Sequence, residues 1–108
     1  MADALRLAIA QLNLLVGDVA GNAQRVIDAA ARARDTLRAQ AIVFPELTLT
    51  GYPPEDLLLR PAMMDQVERA LREIAQATRG IDVILGHPDT GHGLLHNAAS
   101  VLRDGARL

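Results

Sequence analysis

The sequence contains no cysteine, no lysine and no tryptophan, and it has one phenylalanine and one tyrosine among its 108 residues. The absence of cysteine excludes disulfides, thiolate zinc sites and a cysteine nucleophile within this chain. Half of the residues are hydrophobic, and because nearly all of these are aliphatic, the core must pack aliphatic helices onto aliphatic strands. A chain of this length supports one compact domain at most.

The chain also lacks a surplus of positive charge and any long apolar run. Its formal net charge is -2, so no basic face is expected to attract the phosphates of nucleic acid. No segment reaches the roughly 18 apolar residues of a membrane span, and an early acid, Asp3, interrupts any signal-peptide core at the N-terminus. We therefore expect a cytoplasmic protein that binds neither nucleic acid nor a membrane.

Short apolar runs alternate with amphipathic segments in the first 80 residues. Residues 5–12 and 41–44 predict strands, because both runs are short and mostly apolar. From Asn22 onward, apolar side chains recur at three- and four-residue steps, which predicts an amphipathic helix with Asn22 as its N-cap. Pro61 fits the first position of a second helix, which Gly80 closes.

The last part of the chain predicts two full strands and the beginning of another. Residues 82–86 predict a third strand, and residues 94–102 predict a fourth. A hairpin turn at Asp104-Gly105 predicts that a fifth strand begins at Arg107. The order strand, helix, strand, helix, strand, strand is typical of an α/β fold, with the first three strands in one sheet and both helices on one side of it.

Glu46 follows the second predicted strand directly after a proline. Because Pro45 cannot donate a hydrogen bond to a strand ladder, Glu46 is expected at the end of the strand or just beyond it. Ligands of α/β proteins gather at the carboxyl ends of strands, where a carboxylate can act as a general base. Position alone does not separate this role from that of a solvated loop glutamate.

Three histidines, His87, His92 and His96, are separated by five and four residues. They span a strand end, a glycine-rich loop and the next strand, with no acid placed as a fourth ligand, so we expect no metal site. The run Gly-His-Pro-Asp-Thr-Gly-His-Gly around them lacks the Lys-Ser/Thr ending of a phosphate loop and precedes a strand instead of a helix. We therefore expect a connection there.

The run from Val43 to Leu58, VFPELTLTGYPPEDLL, resembles the glutamate motif of the nitrilase, or carbon-nitrogen hydrolase, superfamily. Its second half, which begins at Tyr52, is similar to the form found in the glutaminase domains of glutamine-dependent NAD+ synthetases. Further segments that resemble those domains are residues 7–13, 16–18, 22 and 97–99. The resemblance extends over the whole chain.

The resemblance implies an incomplete nitrilase-like α-β-β-α sandwich, with residues 1–108 as an N-terminal fragment of a glutaminase domain. In this family a glutamate takes the proton of a cysteine thiol, the thiolate attacks an amide carbon, and a lysine stabilises the oxyanion. By resemblance, Glu46 is the general base. Tyr52 either lines the glutamine pocket or buries its ring locally. Glu55 and Asp56 are expected to begin a short helix and not to act in catalysis.

The resemblance also implies how the ammonia is used. A separate synthetase domain, absent from this chain, would use it with ATP and Mg²⁺ to convert deamido-NAD+ to NAD+, so no cofactor is expected in these residues. Because the chain has neither cysteine nor lysine, we expect it to be inactive alone. Two alternatives are a segment of another carbon-nitrogen hydrolase such as an amidase, against which the Pro-Pro-Glu-Asp-Leu-Leu run argues, and a non-catalytic α/β interaction module.

Self-association is the last expectation from the sequence. Part of a two-sheet sandwich leaves apolar sheet surface and strand edges uncovered. We therefore expect a homo-oligomer formed through exposed sheet surface.

Overall fold

A computed structural model describes residues 4–51, 61–91 and 94–108 of the chain. The strands are β1 (Leu7–Ile9), β2 (Ala41–Val43), β3 (Asp82–Gly91), β4 (Leu94–Arg103) and β5 (Ala106–Arg107), and the helices are α1 (Val19–Asp35) and α2 (Pro61–Ala77). The predicted order of strands and helices is confirmed, and Pro61 is the first residue of α2 as expected. The first strand is shorter than the predicted 5–12.

The five strands form one sheet in the order β1-β2-β3-β4-β5. The first three are parallel, and the last three are joined by antiparallel hairpins. Two right-handed crossovers that proceed in the same direction along a sheet place their helices on the same face, and α1 and α2 do pack against each other. The predicted arrangement, with both helices on one side, is therefore confirmed.

The core lies between this helix pair and the sheet. Val26 of α1, Val67 and Ile74 of α2, and Val83 and Leu85 of β3 are completely buried. Burial of each such side chain contributes about 1.5 to 3 kcal/mol to folding. Neither helix of the described residues is long and apolar enough to cross a membrane.

Helix α1 begins earlier than the sequence predicts. Its N-cap is Asp18, whose Oδ1 accepts a hydrogen bond from the backbone N–H of Gly21 at 3.1 Å. The prediction of Asn22 as N-cap is wrong, because Asn22 lies inside the helix and is fully buried. Asp and Asn are equally good caps, so local preference could not choose between them. The tertiary contacts of the Asn22 side chain place it inside the helix and leave Asp18 as the cap.

Strand β3 continues to Gly91, five residues past its predicted end at Gly86, so residues 86–91 of the expected connection belong to a strand instead. The carbonyls of Ile84 and Gly86 accept hydrogen bonds on the side of β3 away from β4, and Pro88 has the same orientation by alternation. Its missing donor therefore faces the region beyond the end of β2, where a strand tolerates proline. The long hairpin with β4 outweighs the turn propensity of the glycines and proline.

The face of the sheet opposite the helices is open in the described residues, and we call it the open face. Leu7 and Ile9 of β1 are 47% and 75% exposed there. Val43, Ile84 and Val101, which continue the row of Ile9 across the sheet, are half-buried. The open face is thus apolar across four neighbouring strands.

One ion pair borders this apolar row on the open face. The guanidinium of Arg103 donates from Nε and Nη2 to Asp82 Oδ1 and Oδ2, at 2.8 and 2.7 Å. This two-bond contact holds the pKa of Asp82 below its usual value. The pair ties β4 to the first residue of β3, near the turn at Asp104-Gly105, where both residues have positive φ as the predicted tight hairpin requires.

Candidate active site

Glu46 lies three residues past the end of β2, in a turn formed by residues 46–50 that we call the Glu46 turn. It borders a depression of about 310 Å³ on the open face, together with Val43, Ile84 and Ala99. The predicted position of Glu46, just beyond the carboxyl end of the second strand, is confirmed. Its role as general base stays a prediction.

The Glu46 turn is buried to an extent that is unusual for a loop. Thr48, Leu49 and Thr50 have no exposed surface, whereas most loops run over the surface because their backbone polar groups need water. The backbone N–H of Thr48 instead donates to the carbonyl of Gly86 at 2.8 Å, and the carbonyl of Thr50 accepts from the N–H of Gly17 at 2.8 Å. These bonds attach the turn to β3 on one side and to the β1–α1 loop on the other.

Leu47, the residue after Glu46, has a left-handed backbone conformation with φ of 51°. A bulky residue in this region is strained by about 1 to 3 kcal/mol and persists only where its surroundings fix it. Leu47 is buried, whereas its neighbour Glu46 is exposed. The left-handed conformation of Leu47 therefore turns its own side chain into the protein, while the carboxylate of the neighbouring Glu46 faces outward.

A buried amide holds the far end of the Glu46 turn. Asn22 donates from Nδ2 to the carbonyls of Leu15 and Leu49, at 2.7 and 3.0 Å. Its Oδ1 accepts from the N–H of Leu15 at 3.0 Å and from Arg25 at 3.3 Å. Sequence analysis missed this role. The available signal was an amide on the helix face that also carries Val26, because buried polar side chains need specific partners.

Asn97 of β4 contacts the carboxylate directly, because its Nδ2 donates a hydrogen bond to Glu46 Oε1. This bond holds one of the two carboxylate oxygens of Glu46. The sequence indicated this residue only through the resemblance of residues 97–99 to the family. No local pattern assigned it a role.

His87 is buried on the helix side of the sheet and belongs to a different cluster. Its Nε2 lies 2.7 Å from Ser100 Oγ, and its Nδ1 lies 3.0 Å from the carbonyl of Pro88. Because a carbonyl only accepts, Nδ1 carries a proton, and in the neutral imidazole the Ser100 hydroxyl donates to Nε2. Because Ser100 bonds His87 on the helix side of the sheet, its hydroxyl faces away from Glu46 on the open face.

Several predicted residues cannot be placed relative to Glu46. Tyr52, Glu55, Asp56 and His92 lie outside the described residues, so their predicted roles stay predictions. Among the His, Asp and Glu side chains that the structure does describe, no group of three is arranged to hold a metal ion.

The family follows from the sequence comparison. A family model described as carbon-nitrogen hydrolase matches residues 6–108. The chain belongs to the carbon-nitrogen hydrolase family. This carbon-nitrogen hydrolase chain is 50% identical over 104 residues to the glutamine-dependent NAD(+) synthetase of Xanthomonas campestris pv. campestris, a match that covers 96% of the chain and 19% of that protein. The resemblance to these synthetases, inferred above from the Glu46 motif, is confirmed.

Solved structures agree with this family. The chain superposes with a TM-score of 0.91 and 33% identity on a glutamine-dependent NAD+ synthetase from Acinetobacter baumannii in complex with ADP, covering 96% of this chain and 20% of that one. An amidase from Nesterenkonia sp. gives a TM-score of 0.81 and 29% identity, with 96% and 40% coverage. The nitrilase-like α/β fold is confirmed. The chain spans about a fifth of the length of the curated synthetases it matches.

We predict that replacement of Asn22 by alanine lowers the free energy of unfolding by about 1 to 3 kcal/mol. The variant leaves the buried carbonyl of Leu49 without its donor, whereas the carbonyl of Leu15 keeps a hydrogen bond from the N–H of Asp18 at 3.2 Å. Urea denaturation measures the loss. The control is Gln24→Ala on the exposed side of the same helix, for which we expect a change within about 0.5 kcal/mol. Equal losses in the two variants would contradict the role of Asn22.

Proposed function

We propose that this chain forms the glutamate-bearing part of the glutamine-hydrolysing site of a glutamine-dependent NAD+ synthetase. The observation that supports the proposal most is the position of Glu46, held by Asn97 on the open face, within a segment that is 50% identical to a protein of that name. In the proposed reaction Glu46 is the general base.

The proposed chemistry begins when the Glu46 carboxylate takes the proton of a cysteine thiol. The thiolate then attacks the side-chain amide carbon of glutamine, and a lysine ammonium stabilises the oxyanion that forms. Glu46 then returns the proton to the leaving nitrogen, and collapse of the intermediate breaks the carbon-nitrogen bond, releases ammonia and leaves a thioester. Water hydrolyses the thioester to glutamate and regenerates the thiol. Neither cysteine nor lysine is among these 108 residues, so both must come from other residues.

The surroundings of Glu46 suit a site that becomes complete when the open face is covered. The face next to the carboxylate is apolar, with Val43 and Ile84 beside it. A second layer of structure on this face would exclude water and strengthen the hydrogen bond from Asn97, because electrostatic interactions grow as the local dielectric falls. We infer that a second sheet of the α-β-β-α sandwich, supplied by residues outside this chain, forms that layer.

ATP and Mg²⁺ are proposed to act in a separate synthetase domain and not on these residues. A phosphate-binding loop places its glycines before the N-terminus of a helix. The glycine-rich run that begins at Gly86 lies instead in β3 and leads into β4. These residues do not fit a nucleotide phosphate, and no step of the proposed glutamine hydrolysis uses one.

The alternative with direct support is a segment of an amidase, because the Nesterenkonia amidase superposes with a TM-score of 0.81. The same Glu46 chemistry would then act on a different amide. We favour the synthetase, since the synthetase from Acinetobacter baumannii superposes with a higher TM-score of 0.91. A non-catalytic interaction module remains the second alternative, and the experiments below separate it from both enzymes.

A chimera tests the proposal, in which residues 1–108 replace the matching segment of the Xanthomonas campestris synthetase. We predict that it forms NAD+ with glutamine, and that Glu46→Gln lowers this rate by about 10² to 10⁴-fold through loss of the base. The rate with added ammonia should stay unchanged, because free ammonia bypasses glutamine hydrolysis.

The matched control for the chimera is Glu73→Gln, which makes the same chemical change on the exposed surface of α2. We expect it to leave the glutamine-dependent rate unchanged. A chimera that forms NAD+ with ammonia but not with glutamine would argue against the proposed function, and so would a Glu46→Gln variant of full activity.

The 108-residue chain by itself is predicted to release no ammonia from glutamine. A general base accelerates a reaction only when a nucleophile is present for it to deprotonate, and no thiol is available here. The measurement is ammonia release by the purified chain and by its Glu46→Gln variant. Release above background that disappears in the variant would show that a working site exists without cysteine and lysine.

We also propose that the isolated chain self-associates through the open face. At about 25 cal/mol per Å², a few hundred Å² of apolar surface contributes several kcal/mol to association. Sedimentation velocity should show oligomers at high micromolar concentration, and Ile9→Lys should shift them towards monomer. Leu37→Lys, which changes an exposed leucine beyond the end of α1, should not. A stable wild-type monomer would contradict the proposal.

A further inference from the structure

Gly86 occupies a position in β3 that does not need glycine for its backbone. Its φ is outside the left-handed region, in contrast to Gly51 and Gly80, whose φ angles are 76° and 81°. Glycine inside a strand weakens it and often marks the close approach of another backbone. The reason for glycine must therefore lie in what contacts this position.

The contact is with the backbone of the chain at Glu46. A Cβ atom on Gly86 would lie 2.7 Å from the N of Leu47, 2.9 Å from the Cα of Glu46 and 3.1 Å from the carbonyl oxygen of Pro45. Favourable non-bonded separations are about 3.5 to 4.0 Å. Because all three atoms are backbone, no side-chain rotation relieves the overlap. The Glu46 turn as a whole would have to move away by about 0.5 to 1 Å.

Two hydrogen bonds depend on this close approach. The carbonyl of Gly86 accepts from the N–H of Thr48 at 2.8 Å. On the neighbouring strand, Asn97 donates to the Glu46 carboxylate. A turn raised from the sheet would lengthen both bonds, so the missing side chain of Gly86 sets the height of Glu46 above the sheet.

We propose that Gly86 is a positioning residue for Glu46: because Gly86 has no side chain, the backbone of the Glu46 turn can lie in direct contact with β3. The inference rests on the proposed function, in which Glu46 is the base for glutamine hydrolysis. A catalytic group displaced by about 1 Å can lose on the order of 10² in rate. Gly86 would have this influence through the position of the turn.

The first test uses the 108-residue chain and needs no activity. Hydrogen exchange is measured at two amides that donate to β3 at 2.8 Å, Thr48 to Gly86 and Phe44 to Ile84. In Gly86→Ala we expect the protection of Thr48 to fall at least about tenfold while that of Phe44 changes less than about twofold, because only the turn opens. A purely structural role would lower both together.

The control for hydrogen exchange is Asp65→Glu, which adds one methylene group on the exposed surface of α2. A surface substitution away from the turn leaves the bonds of Thr48 and Phe44 in place, so the ratio of the two protections should not change. The inference is overturned if Thr48 keeps its protection in Gly86→Ala, or if Thr48 and Phe44 lose protection in parallel. Complete unfolding of the variant counts as parallel loss, because it makes Gly86 a structural residue.

The second test places Gly86→Ala in the chimera with the Xanthomonas campestris synthetase. We expect kcat with glutamine to fall by about 10²-fold, with KM for glutamine within a few-fold and the ammonia-dependent rate unchanged. Asp65→Glu should match the unmodified chimera. If the unmodified chimera lacks glutamine-dependent activity, the proposed function fails. If that chimera is active and Gly86→Ala equals it, only the positioning role of Gly86 fails.

Discussion

A single buried amide makes a buried Glu46 turn possible. The turn brings backbone polar groups into the protein where neither helix nor strand pairs them, and an unpaired buried carbonyl is costly. Asn22 resolves this cost for the carbonyl of Leu49 in the turn, and from inside α1 the same side chain also bonds the carbonyl of the half-exposed Leu15. The loop before the helix and the turn after β2 are thereby fixed to one another, and the position of Glu46 depends on both.

The sheet supports the same turn from the other side by a different means. At Gly86 the support is steric, since the backbone of the turn lies where a side chain would otherwise be. At Asn97 it is a hydrogen bond to the carboxylate. An amide within α1, a glycine in β3 and an amide in β4 thus converge on five residues of turn. A carboxylate held by rigid elements in this way is suited to proton transfer, which requires defined geometry.

The two faces of the sheet carry different groups. The helix side contains the aliphatic core and the buried His87–Ser100 pair, which leaves that histidine and hydroxyl out of reach of Glu46. The open face contains the carboxylate, an apolar row that begins at Ile9, and the Asp82–Arg103 ion pair. The proposed chemistry on the open face therefore needs further groups and a cover.

The sequence by itself determined the elements and the position of Glu46, because these follow from local patterns. Apolar spacing predicts the helices and strands, Pro45 ends β2, and the Asp104-Gly105 turn closes the last hairpin. Only the tertiary structure decided where α1 begins, where β3 ends and what holds the turn. Asn22 is not a cap because it bonds a carbonyl 27 residues away, and β3 passes Gly86 because β4 pairs with it. Contacts between distant segments produce no periodic spacing of apolar residues in the sequence, so no local pattern could reveal them.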